Sequence, residues 1–312
     1  MTPPPRTGFI SPATRAFFRA AMARKDLPFF PRLLEALHGY IYLRAPVFYI
    51  GTALGRRPGS RRILPLINRL GRFLGLWDEN SGKSFADSYH GKVTPAEDMT
   101  RLIRVGRSLD LQVPEHVLPY NAARDLLLQN PEDLAVLDCP CRASMPKPCL
   151  PLDVCLIVGK TFVDFVLTHH PSKSRRIDAE EAVRIVADSL KRGHVTHAFF
   201  KEAVLGRFYA VCNCCACCCG AMQAQRDGVP MLASSGFLAV ADPQTCNGCG
   251  RCVRKCPFKA ITFTHADGRP IPGINPKLCM GCGVCVAQCP TGSLRLERDP
   301  ALPAPLLDIL KG

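Results

Sequence analysis

The cysteines near the carboxyl end of the chain stand in a spacing that binds iron. The pattern Cys-x2-Cys-x2-Cys-x3-Cys-Pro occurs twice between residues 246 and 290. Three cysteines two residues apart can wrap one loop around a cube of four irons and four sulfides, and the fourth, followed by proline, reaches the cube of the other motif. The spacing therefore predicts two [4Fe–4S] clusters with crossed ligation. The predicted ligands are Cys246, Cys249, Cys252 and Cys289 for cluster one, and Cys279, Cys282, Cys285 and Cys256 for cluster two.

A pair of zinc knuckles is the alternative interpretation of this repeat. Zinc takes four ligands in a tetrahedron, usually as two closely spaced pairs. Each half of the repeat has a third closely spaced cysteine that such a site leaves unexplained, so iron–sulfur binding is favoured. Iron–sulfur clusters carry one-electron chemistry, and we therefore expect the chain to move single electrons.

The segment of about 236–297 resembles bacterial-type two-cluster ferredoxins. The resemblance implies short strands, which we predict at 238–240, 261–263 and 294–296. The segment is rich in arginine and lysine, whereas soluble carriers of that family are typically acidic, and it follows 235 other residues. We therefore expect it to transfer electrons within a larger protein rather than to act as a free carrier.

The other ten cysteines fall in two groups, at 139–155 and 212–219, and six of the eight residues in the second group are cysteine. Packing does not require that density, and in a reducing compartment such thiols persist as metal thiolates or as a working dithiol. One or two further iron–sulfur clusters, a zinc site, and a redox-active dithiol or disulfide beside a cluster all remain open. The predicted metal ligands are Cys139, Cys141, Cys149, Cys155, Cys212, Cys214, Cys215, Cys217, Cys218 and Cys219.

Three sequence elements carry a resemblance beyond the ferredoxin-like segment. They are Cys-Pro-Cys-Arg at 139–142, Pro-Leu-Asp-Val-Cys-Leu at 151–156, and Gly-Arg-Phe-Tyr at 206–209 leading into Cys-Asn-Cys-Cys-x-Cys-Cys-Cys. Together they resemble a bacterial family of 4Fe–4S-binding proteins over about residues 85–297. Members of that family join a cysteine-rich domain to a two-cluster module. The resemblance implies iron–sulfur binding and electron transfer and names no substrate.

The first quarter of the chain carries most of a net charge of +14. Residues 1–75 contain thirteen arginines and lysines and two acidic residues. Ser11-Pro12 is typical of a helix start, and apolar residues at helical spacing predict a helix over 62–77. We therefore expect a basic amphipathic helical arm over 1–77. The arm would contact an acidic redox partner or, at the membrane surface, lipid headgroups. The alternative is that the arm simply packs on the rest of the chain.

The cysteine-rich segment must deliver its thiols from regular elements. Short apolar runs predict strands at 134–137 and 208–211 that end at Cys139 and Cys212, and helices are predicted over 94–109, 121–128, 153–168 and 178–191. Strands alternating with helices predict a small α/β domain over 90–235. The whole chain is then of the α+β or α/β class, with the arm, this domain, the two-cluster ferredoxin-like module at 236–297 and a tail at 298–312.

Histidines and charged residues near the cysteines are further candidates. His194 and His197 would share one face of a helix and could ligate metal, although packing at a helix–strand junction is the favoured interpretation. Asp138 and Arg142 flank Cys-Pro-Cys, where they could orient cluster sulfurs or form a surface ion pair.

The functional hypothesis is an electron-transfer protein or subunit that passes electrons between two [4Fe–4S] clusters and a further metal centre in the cysteine-rich domain. An oxidoreductase that reduces a substrate or disulfide at that centre, and a redox-sensing or metal-handling protein, are the alternatives, so enzymatic activity is left open. No export signal or spanning segment is apparent, and we expect a cytoplasmic location, or a peripheral one at the inner face of the membrane. No nucleotide or nucleic-acid motif is present, and nucleic acid is not an expected partner.

Overall fold

A computed structural model describes residues 10–60, 69, 89–105, 133–201, 203–266 and 269–308. The helices predicted over 62–77 and 121–128 lie outside these residues, apart from residue 69. The arm forms three helices, α1 (Pro12–Met22), α2 (Phe29–Arg44) and α3 (Pro46–Ala53). Ser11 caps α1 as predicted, because its hydroxyl accepts a hydrogen bond from the Thr14 amide at 3.1 Å.

A seven-stranded sheet forms the centre of the cysteine-rich domain, in the order β4-β2-β3-β6-β5-β1-β7. The strands are β1 (Tyr89–Val93), β2 (Leu134–Asp138), β3 (Asp153–Val158), β4 (Ser174–Ile177), β5 (Val195–Lys201), β6 (Arg207–Cys214) and β7 (Leu232–Ala233). The helices are α4 (Ala96–Val105), α5 (Pro140–Ala143), α6 (Lys160–His169), α7 (Ala179–Lys191) and α8 (Gly220–Arg226).

The sheet is antiparallel except for the β1–β7 pair. Alternating strands and helices predicted an α/β domain, which would have a largely parallel sheet. Because the described sheet is largely antiparallel, the fold is of the α+β class. The predicted start of the helix at Asp178 is confirmed, since its carboxylate accepts a hydrogen bond from the Glu181 amide at 2.7 Å where α7 begins.

The helix predicted over 153–168 is wrong in its first half. Residues Asp153–Val158 form β3, and helix α6 begins only at Lys160. The apolar run Val154–Val158 is buried between β2 and β6, where a strand satisfies its backbone by pairing on both sides. Gly159, at φ +91°, makes the change of direction between strand and helix.

The two faces of the sheet have separate cores. One face packs against α4 and α7 through aliphatic side chains such as Met99, Leu156 and Val186. The other face packs against the arm and α6, and several of the cysteines lie within this second core. The arm is therefore a layer of the domain, with Phe17 fully buried between α1 and α6.

The ferredoxin-like module follows as two small antiparallel sheets of two strands each and two short helices. Strands β8 (Phe237–Ala241) and β11 (Leu294–Arg298) pair with each other, as do β9 (Ile261–Ala266) and β10 (Arg269–Ile274). The three predicted strands are confirmed, whereas β10 was not predicted. Helices α9 (Arg251–Lys255) and α10 (Val284–Ala287) follow the glycine-containing loops. Within the described parts of the chain, no helix combines the length and apolar character needed to cross a membrane.

Candidate metal centres

The first motif of the module surrounds a small cavity. Its volume is about 20 Å³, and it is lined by Cys246, Cys249 and Cys252 together with Cys289 from the second motif. Although partial burial raises the pKa of Cys289, hydrogen bonds with the Ser293 and Thr291 side chains lower it to about 7. The structure thus brings together the four cysteines predicted for cluster one.

The second motif is completed in the same crossed manner. Burial raises the pKa of Cys282, and the nearby thiols of Cys285, Cys256 and Cys279 add to the rise. Cys256, the last cysteine of the first motif, therefore lies among the three closely spaced cysteines of the second. Both groupings are those that crossed ligation needs, and ligation itself stays a prediction.

Glycine fixes the second cluster loop against the rest of the chain. Gly281 has φ +62°, and a Cβ added there would lie 2.2 Å from both the Phe237 carbonyl oxygen and the Ser235 hydroxyl. The Ser235 hydroxyl also donates a hydrogen bond to the Gly281 carbonyl at 2.8 Å. Any side chain at this position would push the loop away from β8.

Four of the other ten cysteines form a compact set, here called the outer thiol group: Cys149, Cys215, Cys217 and Cys218. Their sulfurs all lie within 4.8 Å of one another, with 3.0 Å between Cys149 and Cys217 and 3.7 Å between Cys217 and Cys218. Zn–S bonds of about 2.3 Å in a tetrahedron place sulfurs about 3.8 Å apart. The group therefore suits one tetrahedral ion.

The remaining six form a second set, here called the inner thiol group: Cys139, Cys141, Cys155, Cys212, Cys214 and Cys219. They line a cavity of about 50 Å³ on the arm side of the sheet. Cys155 and Cys212 face each other across β3 and β6 with sulfurs 3.9 Å apart. Cys215 and Cys218 of the outer group also border the cavity, so the two groups adjoin.

Separate elements position the inner thiols. Cys139 and Cys141 flank Pro140 at the start of α5, and Cys219 stands at the start of α8. Cys212 and Cys214 are two residues apart in β6 and so face the same side of the sheet. The prediction that these cysteines lie just past strand ends holds for Cys139. It is wrong for Cys212 and Cys214, because β6 continues beyond its apolar run, and for Cys155, because the segment predicted as helix forms β3.

The arm closes the cavity. Tyr42, Leu43, Pro46 and Ile50 from α2 and α3 line it. The Tyr42 hydroxyl is hydrogen-bonded to that of Tyr209 at 2.7 Å, and burial raises the pKa of both phenols. Sequence reasoning missed these residues, since an isolated tyrosine in an arm helix carries no signal of its distant partner.

Arg56, just past α3, holds the two cysteine loops together. Its guanidinium donates hydrogen bonds to the Cys141 carbonyl at 2.8 Å and the Cys218 carbonyl at 2.7 Å. It also donates to the Ser144 hydroxyl at 2.7 Å and the Gln223 side-chain oxygen at 3.0 Å. One side chain of the arm thus joins a loop of the inner thiols to a loop of the outer ones.

Arg142 is buried between the two thiol groups with 1% exposure. Its guanidinium donates to the Pro151 carbonyl, to the Asn213 carbonyl at 3.0 Å and to His194 Nδ1 at 3.1 Å, and its Nε has no partner. Among the described residues no carboxylate pairs with it, so the alternative of a surface ion pair with Asp138 is wrong.

The charge of Arg142 acts on both thiol groups. The pKa of Cys139 is raised by its hydrogen bond with Cys141 and by burial, and burial raises that of Cys215 to about 12. The positive charge of the Arg142 guanidinium lowers the pKa of both thiols and so opposes these rises. It is therefore close enough to favour the thiolate form on either side.

The alternative in which His194 and His197 share one helix face is wrong, whereas the favoured position near a helix–strand junction agrees with the structure. His197 lies within β5 and His194 precedes that strand, where residues three apart point to opposite faces. His197 is fully buried opposite Cys212 of β6, and neither ring nitrogen has a hydrogen-bond partner. Burial lowers its pKa to about 3, so the ring is neutral at pH 7.

The repeated cysteine loops, the crossed grouping of their thiols and the two small antiparallel sheets define a ferredoxin-like iron–sulfur protein. Comparison with known families agrees, since residues 245–293 match the 4Fe-4S dicluster domain. No curated protein and no solved structure matches the chain. The dicluster domain gives the protein an iron–sulfur cofactor and an electron-transfer role; the match does not extend to the arm or to the cysteine-rich domain.

Proposed function

We propose that the protein passes single electrons between two [4Fe–4S] clusters of the dicluster module and a metal centre in the cysteine-rich domain. One observation carries this proposal. Cys282, in the loop proposed to hold cluster two, is buried in the same core as Cys214 and Cys219 of the cysteine-rich domain. The cluster-two loop thus packs on that domain, whereas the thiol of Cys249 in the first motif is exposed.

Hydrogen bonds fix the same loop to its neighbour. The Ser235 amide donates to the Met280 carbonyl at 3.1 Å, beside the Ser235–Gly281 bond described above. The Gln288 side chain donates to the Lys191 carbonyl at the end of α7 at 2.8 Å. A fixed contact of this kind keeps two redox centres at a constant separation, which favours electron transfer within one protein.

The residues of the chain have distinct parts in this proposal. The clusters, when bound, supply the one-electron chemistry. The crossed cysteines hold them, and α10 and the core around Cys282 keep water from cluster two. The outer thiol group is the proposed ligand set of the further centre, since its four sulfurs already converge and its Cys215 and Cys218 are the chain neighbours of Cys214 and Cys219.

Metal content and magnetic coupling test the proposal on protein purified without oxygen. Two cubanes require about eight irons and eight sulfides per chain, and a redox-active further centre adds an EPR signal. We expect that signal to broaden when the dicluster is reduced. Cys282→Ala should abolish the broadening, whereas the matched variant Cys249→Ala at cluster one should largely preserve it. The proposal would be contradicted by a further EPR signal whose width does not depend on the oxidation state of the dicluster. It would also be contradicted if the remaining site held only zinc.

We also propose that the arm docks on an anionic lipid surface. Phe30, Leu37, Ile41 and Arg44 lie along one outward face of α2, and the first three are exposed by 65%, 43% and 54%. Exposed aromatic and aliphatic residues in a row mark a contact surface. Residues 10–60 hold eight arginines and lysines and two acidic residues, a balance that complements lipid phosphate.

Point substitutions test this docking better than deletion of the arm, because the arm also lines the inner cavity. Wild-type protein should sediment with vesicles containing anionic lipid and not with purely zwitterionic vesicles. The double variant L37E/I41E should lose sedimentation. Val229→Glu changes a 41% exposed apolar residue that follows helix α8 and lies outside the arm. It serves as the control and should bind normally. Equal binding of both variants, or none by the wild type, would remove the lipid surface as the partner.

A further inference from the structure

We infer that the inner thiol group is a metal site separate from the outer one, and that it binds a sulfide-bridged iron core of several metal atoms rather than a single ion. The inference does not rest on the proposed electron transfer, because it concerns only what the six thiols bind.

The spread of the inner sulfurs argues against a single ion. Four thiolates around one tetrahedral ion stand about 3.8 Å apart. Within the described ranges, the outer thiol group is the one set of three or more potential ligands whose atoms all lie within 4.8 Å of one another. The six inner thiols instead follow the wall of the cavity. Cys155 and Cys212 are held opposite each other by the pairing of β3 with β6, whereas Cys139, Cys141 and Cys219 come from the starts of two helices.

The cavity offers room for several atoms. A water molecule needs roughly 10–15 Å³ of such space, whereas this cavity measures about 50 Å³. Protein interiors are otherwise closely packed, and empty spaces of this size in them are few. Apart from the thiols and Arg142, the wall is formed largely by apolar side chains and the paired tyrosines, which provide no ligand set for a hydrated ion.

Arg142 supplies the independent observation that an anion belongs here. Its guanidinium lines the cavity at 1% exposure, all its hydrogen-bond acceptors are neutral, and its Nε is unpaired. A buried charge without a counter-charge is strongly unfavourable. Thiolates bound to an iron–sulfide core form an anion beside the guanidinium, and they would satisfy both the charge and the free N–H.

Iron and sulfide suit this site better than other thiophilic metals. Sulfide bridges fill the space between thiolates that are too far apart to share one metal. The same chain carries a 4Fe-4S dicluster domain, so it is made where iron–sulfur cores are assembled. His197, buried opposite Cys212 with both ring nitrogens unpaired, is a neutral donor on the same sheet face that could contact such a core.

Native mass spectrometry of the full chain, kept free of oxygen, tests the inference. The wild type should carry, beyond two [4Fe–4S] clusters, an additional mass made of several irons and sulfides. C155S/C212S should lose that mass and keep the metal of the outer thiol group. The matched pair C149S/C217S should lose the outer metal and keep the additional iron and sulfide.

Two outcomes would overturn the inference. One is a wild-type mass that leaves room only for the dicluster and single ions, a result that needs no variant to fold. The other is loss of the additional iron and sulfide from C149S/C217S but not from C155S/C212S, which would place the core in the outer thiol group. Metal analysis for iron and zinc on the same samples identifies each mass increment.

Discussion

Arg56 is the residue through which the arm should control the cysteine loops. Replacing it with methionine keeps the length of the side chain but removes its hydrogen bonds to Cys141, Cys218, Ser144 and Gln223. Hydrogen bonds from a charged donor contribute roughly 1.5–3 kcal/mol each when the partner is buried. These acceptors are partly exposed and can be rehydrated, so we take the loss for the two backbone carbonyls alone, about 3 kcal/mol.

A change of about 3 kcal/mol corresponds to about a hundredfold change in the equilibrium between closed and opened loops. Hydrogen exchange reports this opening directly at the backbone amides of each loop. Ser144 and Cys219 are suitable reporters, because their amides donate to the carbonyls of Pro140 and Cys215 within the loops. We expect Arg56→Met to accelerate exchange of both loops by about this factor and to leave residues 246–256 of the module unchanged.

The neighbouring arginine provides the control. Arg57 is exposed and lies over the Phe48 ring at 4.4 Å, without a hydrogen bond to either cysteine loop among the described contacts. Arg57→Met removes the same charge from the same segment, so general electrostatic effects should appear equally in both variants. If the two substitutions altered loop exchange to the same extent, or neither altered it, Arg56 would not join the loops and the reasoning would fail.

Three further predictions address other parts of the chain. Cys256→Ala should empty the cluster of the second motif and Cys289→Ala that of the first, as measured by the EPR signal that disappears; loss of each residue's own motif cluster would disprove crossed ligation. Gly281→Ala should lower the denaturation midpoint of the module by more than Gly292→Ala does, because both residues have φ above +60° but only the first would place its Cβ against other atoms. The loss of unfolding free energy caused by Gly281→Ala should exceed that caused by Gly292→Ala by about 1–3 kcal/mol. Equal midpoints for the two variants would show that the loop can shift freely. His38→Phe should flatten the fall in stability between pH 6.5 and 4, because burial lowers the pKa of this histidine to about 4 and only the unfolded chain takes up the proton in that window. His38 should account for up to roughly 3 kcal/mol of the wild-type loss across this range, in addition to the loss from other buried histidines such as His197, and parallel pH curves for both proteins would refute the assignment.

The features that the sequence predicted well are the local ones. The repeated motif carries its chemistry in fixed spacings, and the cap at Asp178 depends on a residue only three positions away. Strands β2, β8, β9 and β11 were recognisable as short apolar runs bounded by turns. These signals lie within a few residues of one another, so no knowledge of the rest of the chain is needed.

The division of ten cysteines into six and four could not be predicted, because it depends on pairing between distant strands. Cys155 meets Cys212 only because β3 lies beside β6, and Cys149 meets Cys217 because two loops converge at the same end of the sheet. Adjacent residues of one cysteine run, such as Cys218 and Cys219, belong to different groups. Spacing within that run therefore gave no hint of the boundary between them.

The placement of the thiols on one face of the sheet decides how metal and fold depend on each other. In many small metal-binding domains the metal supplies most of the folding free energy. Here the core between the sheet and helices α4 and α7 contains no cysteine among its described members, and it retains Met99, Leu156 and Val186 whether or not metal is bound. Arg56 holds the cysteine loops from the arm side through their carbonyls and independently of the thiols. Removal of metal should therefore loosen the face that carries Arg142, whose charge then lacks a partner, while the opposite face of the sheet keeps its slow hydrogen exchange.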